Sequence, residues 1–303
     1  MIKAVYEFKQ VDSMKTRAFI FIVLAGIFWG PSGIFVHYLA PYGFSSIQMT
    51  AMRATVSFLV MAIYVLIKNR GLFRVKPSEI LFFLGSGLSF LATATFYFMS
   101  MQLTSVATGV VLMYTAPAIV MVYSVLFLGE KLTKLKGVAV AVMLLGCCLV
   151  SGVVGGMKFN ALGILFGVLS GISYSVYNIL TKIEMKKGSS AISATLYNFL
   201  FAAIGAVAIC NPINLYENFL NKPIFTVPVM IACGIVTCIA PYFLYTVAMK
   251  TLPAGTASAL GIVEPMAATV FSVLILHESL NVFSAIGIIL ILGAVFLLGR
   301  EDG

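Results

Sequence analysis

Apolar residues in this chain come in long runs. Between residues 17 and 299, stretches of about twenty mostly apolar positions alternate with short breaks rich in charge, glycine or proline, and that length is what a helix needs to cross a hydrocarbon layer. The breaks predict ten helices, near 17–39, 46–67, 78–100, 104–128, 133–152, 160–182, 190–210, 225–249, 254–277 and 281–299. The fold class read from this pattern is all-α integral membrane.

Composition agrees with the pattern. The chain is 61% hydrophobic and 10% charged, against about 25% charged residues in an average soluble domain, so a water-soluble surface cannot be assembled from it. The formal charge of +9 is no sign of nucleic acid, because the lysines and arginines fall between the apolar runs. If the N-terminus lies inside, sixteen of the nineteen basic residues fall on the cytoplasmic side, Lys158 and Lys222 fall outside, and Arg53 lies within the second run. That imbalance predicts N-in and C-in, an even number of spans, and a multi-pass protein of the cytoplasmic (inner) membrane. The basic residues Lys15 and Arg17 followed by AFIFIVLAGIFWG imitate a signal peptide, but no small-residue cleavage site interrupts the run, which reads as a first span. Residues 1–16 form a cytoplasmic tail in this reading, with Met14 as a candidate natural start, and 300–303 form a cytoplasmic C-terminus.

The run is also duplicated. MYTAPAIVMVYSVLFLGEKL (113–132) and GIVEPMAATVFSVLILHESL (261–280) match at eight of twenty positions, Pro117/Pro265 and Glu130/Glu278 among them. AGIFWG (25–30) lines up with FGVLSG (166–171), and Tyr97 and Met101 line up with Tyr245 and Met249. Each copy is five spans long, 17–152 and 153–299. Because five is odd, the second copy enters the membrane upside down relative to the first, an inverted repeat of the kind that can exchange two local packings and open a site to one side and then the other.

AGIFWG, YTAPAIVMVYSVLFLGEKLT and GIVEPMAATVFSVLILHESLN resemble the paired domains of EamA-type carriers of the drug/metabolite transporter superfamily, and the resemblance covers about residues 18–299. It implies a secondary carrier, often an exporter of amino acids or other small metabolites, with a central cavity between the halves. It does not imply which substrate.

Particular residues stand out against the apolar background. Pro117 and Pro265 sit mid-span, where each removes a backbone hydrogen bond and crowds the preceding turn, so both are helix-break candidates. Glu130 and Glu278 end their spans just before the N-caps Thr133 and Asn281, and are expected to approach the exposed amides of the helix that follows. Glu264 stands near the midplane, where a bare charge costs several kcal/mol, so it needs a partner, a proton or water. A carboxyl that gains and loses a proton as a cavity opens would couple transport to a proton gradient, and Glu264 is therefore a coupling or gating candidate. Its repeat equivalent is Ala116, so symmetry does not account for it. Arg53 lies at similar depth and is the second such candidate, as a partner for Glu264 or for an anionic substrate; its own repeat equivalent is Asn198. Trp29, Tyr97, Tyr114, Tyr177, Asn178 and Tyr245, with Glu264, are candidates for the wall of a substrate cavity, since deep tyrosine and tryptophan need polar partners. Tyr174 and Tyr242 belong to the same aromatic set. Gly26 and Gly30, and Gly167 and Gly171, recur at four-residue spacing and permit close helix approach. Gly137, Gly146, Gly287 and Gly293 suggest peripheral packing or a homodimer contact.

The five cysteines read as buried thiols, without paired histidines or a CxxC to make a metal site. His37 and His277 are the only histidines, and HExxH, GxSxG and a phosphate-binding loop are all missing, so an enzyme is not expected. No metal or cofactor is expected either. The partners expected are a small-molecule substrate, the lipid bilayer and protons as a candidate coupling ion. The function read from the residues is a secondary transporter that exports an amino acid, amine or related solute by alternating access; the alternative is a non-transporting membrane scaffold or regulatory subunit.

Overall fold

The computed structural model describes residues 2–152, 160–210, 212–277 and 279–302. Among them the secondary structure is helical throughout: α1 (Ile2–Trp29), α2 (Ser32–Leu39), α3 (Ser46–Lys68), α4 (Pro77–Leu103), α5 (Val106–Met113), α6 (Ala116–Phe127), α7 (Lys134–Val150), α8 (Ala161–Lys186), α9 (Ala191–Ile209), α10 (Pro212–Leu220), α11 (Pro223–Gly234), α12 (Ala240–Ala248), α13 (Ala254–Leu260), α14 (Val263–Leu276) and α15 (Val282–Asp302). Glu278 and Lys158 lie outside the described residues.

Nine stretches among the described residues are long and apolar enough to cross a membrane, and they coincide with nine of the ten predicted runs. The remaining run, the fifth, is α7, a helix of 17 residues that just misses that length. It packs along α15, where Gly146 and Gly287 meet. A Cβ on Gly287 would lie 2.7 Å from the carbonyl of Gly146, so that contact needs glycine. Gly137 and Gly293 face open space. α1 starts at Ile2, so the stretch expected as a tail continues the first helix.

Four spans are interrupted, each next to a proline. α5 gives way to α6 at Tyr114–Thr115, and α13 gives way to α14 at Gly261–Ile262. A proline three or four positions into a turn cannot donate to the preceding carbonyls, so the chain tightens to i→i−3 bonds there, Thr115 N to Leu112 O (3.2 Å) and Ile262 N to Ala259 O (3.0 Å). The kink expected at Pro117 and Pro265 is thus a full break between two half-helices. The first span breaks in the same way, between Trp29 and Ser32, at Pro31. In the eighth, a π-helical turn, Ile235–Ile239, joins α11 to α12 just before Pro241. These last two breaks were not anticipated, although both prolines mark them.

The breaks position the halves. Gly26 on α1 and Gly30, just past its end, let that helix lie against the start of α14, and a Cβ on Gly30 would sit 2.8 Å from the Cβ of Ala267. Gly171 on α8 does the same against the α5–α6 break, where a Cβ would sit 2.6 Å from Thr115 Oγ1. Each half therefore presses a glycine-bearing helix onto the broken helix of the other.

The two ends of the bundle differ in charge and in closure. At one end, the loops carrying Lys68 to Lys76, Lys131 to Lys136 and Lys182 to Lys187 come together. Ser189 Oγ donates to Glu79 Oε1 (2.6 Å), Tyr197 OH to Phe73 O (2.8 Å), and Lys186 Nζ to Leu128 O (2.9 Å). At the opposite end, Gln48 Nε2 donates to Asn214 Oδ1 (3.0 Å), and Asn218 Nδ2 to Gly43 O (2.8 Å). Glu130 was expected to meet the amides of the helix that follows it, α7. Instead it accepts the amides of Ala254 and Gly255 at the start of α13, while Thr133 caps α7. The chemistry is the expected one, on a different helix.

Candidate functional site

A cavity of about 760 Å³ lies between the two halves. Its deep part is walled by Trp29, Arg53, Phe90, Tyr97, Tyr114, Tyr174, Tyr177, Tyr242, Glu264 and Pro265. From there it runs to the end opposite the basic loops, where its lining reaches the helix ends at His37, Ser46, Met101, Val106, Ser151 and Asn281.

Glu264 takes its place because the α13–α14 break sets it on the second position of α14, one residue before Pro265. A half-helix begins there, and the dipole at its N-terminal end favours a negative group. Tyr114, at the end of α5 in the other half, donates its hydroxyl to Glu264 Oε2 at 2.7 Å and lies 3.3 Å from Gly261 O. The two broken helices thus meet tip to tip through a tyrosine–carboxyl hydrogen bond.

Arg53 projects from α3 into the same cavity. Its Nε is buried without a hydrogen-bond partner. Among the described residues no ion pair within 4.0 Å joins it to Glu264. Trp29 caps the end of α1, 4% exposed, with Nε1 also buried and unpartnered. Its ring lies 5.1 Å from that of Tyr242, edge-on, and 5.6 Å from that of Tyr245. Tyr242 in turn meets Tyr177, Phe90 and Phe199 edge-on at 5.6, 5.2 and 5.6 Å. These rings make a box whose faces are apolar and whose edges carry hydroxyl and indole donors.

The remaining sequence candidates sit just outside the cavity. Asn178 and Tyr245 are fully buried beneath the aromatic box, where Tyr245 OH donates to Asn178 Oδ1 and Asn178 Nδ2 donates to Tyr174 O (2.8 Å). Pro117 is buried within α6 and shapes the break without facing the cavity. Towards the basic end, Lys182 Nζ donates to Met249 O (2.8 Å) and Leu252 O, and α13 is buried along its whole length. Phe90, Tyr174 and Tyr242 complete the wall; Phe90 carried no sequence signal that separates it from lipid-facing phenylalanines. Of the cysteines, Cys147, Cys210, Cys233 and Cys238 are buried free thiols and Cys148 is half-buried.

Comparison with known proteins gives the arrangement a context. The sequence profile of the EamA-like transporter family matches twice, over residues 16–152 and 161–300. An uncharacterized transporter of Archaeoglobus fulgidus is 28% identical over 280 residues, covering 92% of this chain and 95% of its own length. An uncharacterized transporter of Bacillus subtilis is 25% identical over 277 residues, covering 90% of both chains. A solved crystal structure superposes with a TM-score of 0.77 over 94% of this chain and 97% of its own, at 17% identity, and so shares the fold.

Proposed function

The chain belongs to the EamA-like transporter family, and on that footing we propose that it is a secondary carrier of the cytoplasmic membrane, exporting a small metabolite of the amino-acid or amine class by alternating access. The observation that carries this reading is the deep cavity whose lining holds both Glu264 and Arg53 among aromatic rings. A solute with an ammonium group is suited to Glu264 and the ring faces, and one with a carboxylate to Arg53. Both chemistries fit one small zwitterion. Two five-span halves, 17–152 and 153–299, inverted relative to each other with both termini inside, would exchange the closed and open ends. In this arrangement the basic, cytoplasmic end is sealed and the cavity faces outward.

Protons are the proposed coupling ion and Glu264 their carrier, releasing a proton when solute amine competes for the carboxylate. The test is flux of radiolabelled amino acids and amines in proteoliposomes at two imposed proton gradients. Saturable flux that follows the gradient is the expected result. Absence of flux and of solute-dependent thermal stabilisation across the panel would favour a scaffold and overturn the carrier reading.

A further inference from the structure

A second buried carboxyl lies away from the cavity, between α8, α4 and α9. Glu184 stands near the end of α8 but is only 1% exposed. Its Oε1 accepts a hydrogen bond from Ser86 Oγ on α4, and its Oε2 is buried with no partner in the protein. The third neighbour is Asn198 on α9, whose side chain lies beside the carboxyl. With its amide oriented so that Nδ2 donates to Phe83 O (3.1 Å) and Ala194 O (3.2 Å), Asn198 spends its N–H groups on backbone carbonyls and leaves none for Glu184. Among the described residues Ser86 Oγ is then the one donor at the carboxyl, and Oε2 has none. An ionised carboxylate held there by one hydroxyl would bear most of its desolvation cost.

Beside Asn198 lies a pocket of about 10 Å³ lined by Phe90, Tyr177, Thr195, Asn198, Phe199 and Tyr242. That is close to the smallest volume that seats one water, and four of its six residues offer polar groups. Phe90, Tyr177 and Tyr242 are also walls of the large cavity, so the pocket bridges the cavity and Asn198.

We propose that Glu184 is a proton-binding site, loaded in this arrangement and connected to the cavity through Asn198 and the water-sized pocket. In the transfer the Glu184 O–H bond breaks and the proton goes to a water oxygen. That water gives up one of its own protons towards the cavity, and the carboxylate left behind keeps the Ser86 hydroxyl. The other titratable groups around it are engaged elsewhere or weakly acidic. Lys182 is spent on backbone carbonyls, Glu79 accepts from Ser189, and Tyr197 donates to Phe73 O. Tyr177 and Tyr242 are phenols. The site stands independently of the carrier reading, because it can be tested on purified protein without a substrate.

The experiment is infrared difference spectroscopy of the purified protein at neutral pH during exchange from H₂O to D₂O. Wild type is expected to show the C=O stretch of a protonated carboxyl that shifts as deuterium enters. Glu184→Gln should remove that band and Glu264→Gln should leave it. Ser86→Ala should keep it at an altered frequency, which identifies the band even if Glu184→Gln folds poorly, and Asn198→Leu should slow the deuterium shift. A band that survives Glu184→Gln, or that ignores Ser86→Ala, overturns the assignment. A Glu184 band that never shifts in D₂O overturns the connection to the cavity and leaves a static neutral carboxyl.

Discussion

Lys182 and Glu130 grip opposite ends of one turn. The Lys182 ammonium donates to Met249 O and Leu252 O, at the trailing end of α12, and the Glu130 carboxylate accepts from Ala254 N at 2.7 Å and Gly255 N at 3.3 Å, at the leading end of α13. A cation faces the carbonyl end of one helix and an anion the amide end of the next, so each charge meets the favourable pole of a helix dipole. Because α13 has no side-chain cap of its own, Glu130 is what satisfies its first amides.

Glu130→Ala is therefore expected to cost about 0.5–2 kcal/mol, the range for losing a helix cap, and to loosen the basic end. In a background lacking the five native cysteines, Ser258→Cys, fully buried in this arrangement, should react faster with a membrane-impermeant maleimide applied from the basic end when Glu130 is replaced. An unchanged labelling rate would remove Glu130 from the seal.

Glycine spacing makes a second, purely steric prediction. Gly30→Ala puts a methyl 2.8 Å from Ala267 Cβ and 2.9 Å from its backbone, and the backbone cannot yield cheaply. A loss of about 1–3 kcal/mol is expected, the usual cost of overpacking. Gly293→Ala has no atom within 4 Å of the new methyl, so it should be neutral or stabilise α15 by up to about 1 kcal/mol through helix propensity. Thermal unfolding of the two variants in the same detergent decides the matter. Equal losses would mean that α1 and α14 do not approach as closely as described.

Residues were legible in the sequence wherever one position broke a strong local rule. Glu264 and Arg53 are charges within apolar runs, and Pro117 and Pro265 are prolines within helices, so each stood out without any knowledge of neighbours. The depth at which Glu264 and Arg53 sit follows from counting along a span. Lys182 and Glu184 did not stand out, because both lie within the last turn and a half of α8, where a charge reads as an interface residue or topology signal. Only the packing of α4, α9 and the α12–α13 turn over that end buries them, and such burial is a tertiary fact with no local periodicity. Glu130 shows the same limit from another side. Its need for helix amides was readable, but the helix that supplies them is more than a hundred residues away in sequence.

Tyr114 and Glu264 form the one direct side-chain hydrogen bond described between the tips of the broken helices. Tyr114→Phe removes the donor and leaves the ring. A hydrogen bond to a charged group contributes about 1.5–3 kcal/mol, so solute affinity is expected to change by roughly tenfold or more while the dependence of flux on the proton gradient persists. Glu264→Gln keeps the shape and abolishes that dependence. Proteoliposome flux with each variant, at matched and opposed pH, separates the two roles; Glu264→Gln flux that still follows the gradient would end the coupling proposal.

Arg53 supplies the last prediction, because its Nε and the Trp29 Nε1 are buried donors that the protein itself leaves unpartnered. Buried donors of this kind are costly unless something accepts from them, and a solute carboxylate in the cavity would do so. Arg53→Gln keeps a donor but removes the charge. It should weaken binding of a carboxylate-bearing solute by roughly tenfold to a hundredfold, the loss of about 1.5–3 kcal/mol expected for a charged hydrogen bond, with little effect on an amine that lacks the carboxylate. Trp29→Phe keeps the edge contact with Tyr242 and removes the indole donor, so a smaller loss with the same selectivity is expected. Solute-dependent thermal stabilisation, measured for an amino acid and for its decarboxylated amine, reads both outcomes. If Arg53→Gln weakens the amine as much as the amino acid, the guanidinium holds the fold of α3 instead of the solute carboxylate.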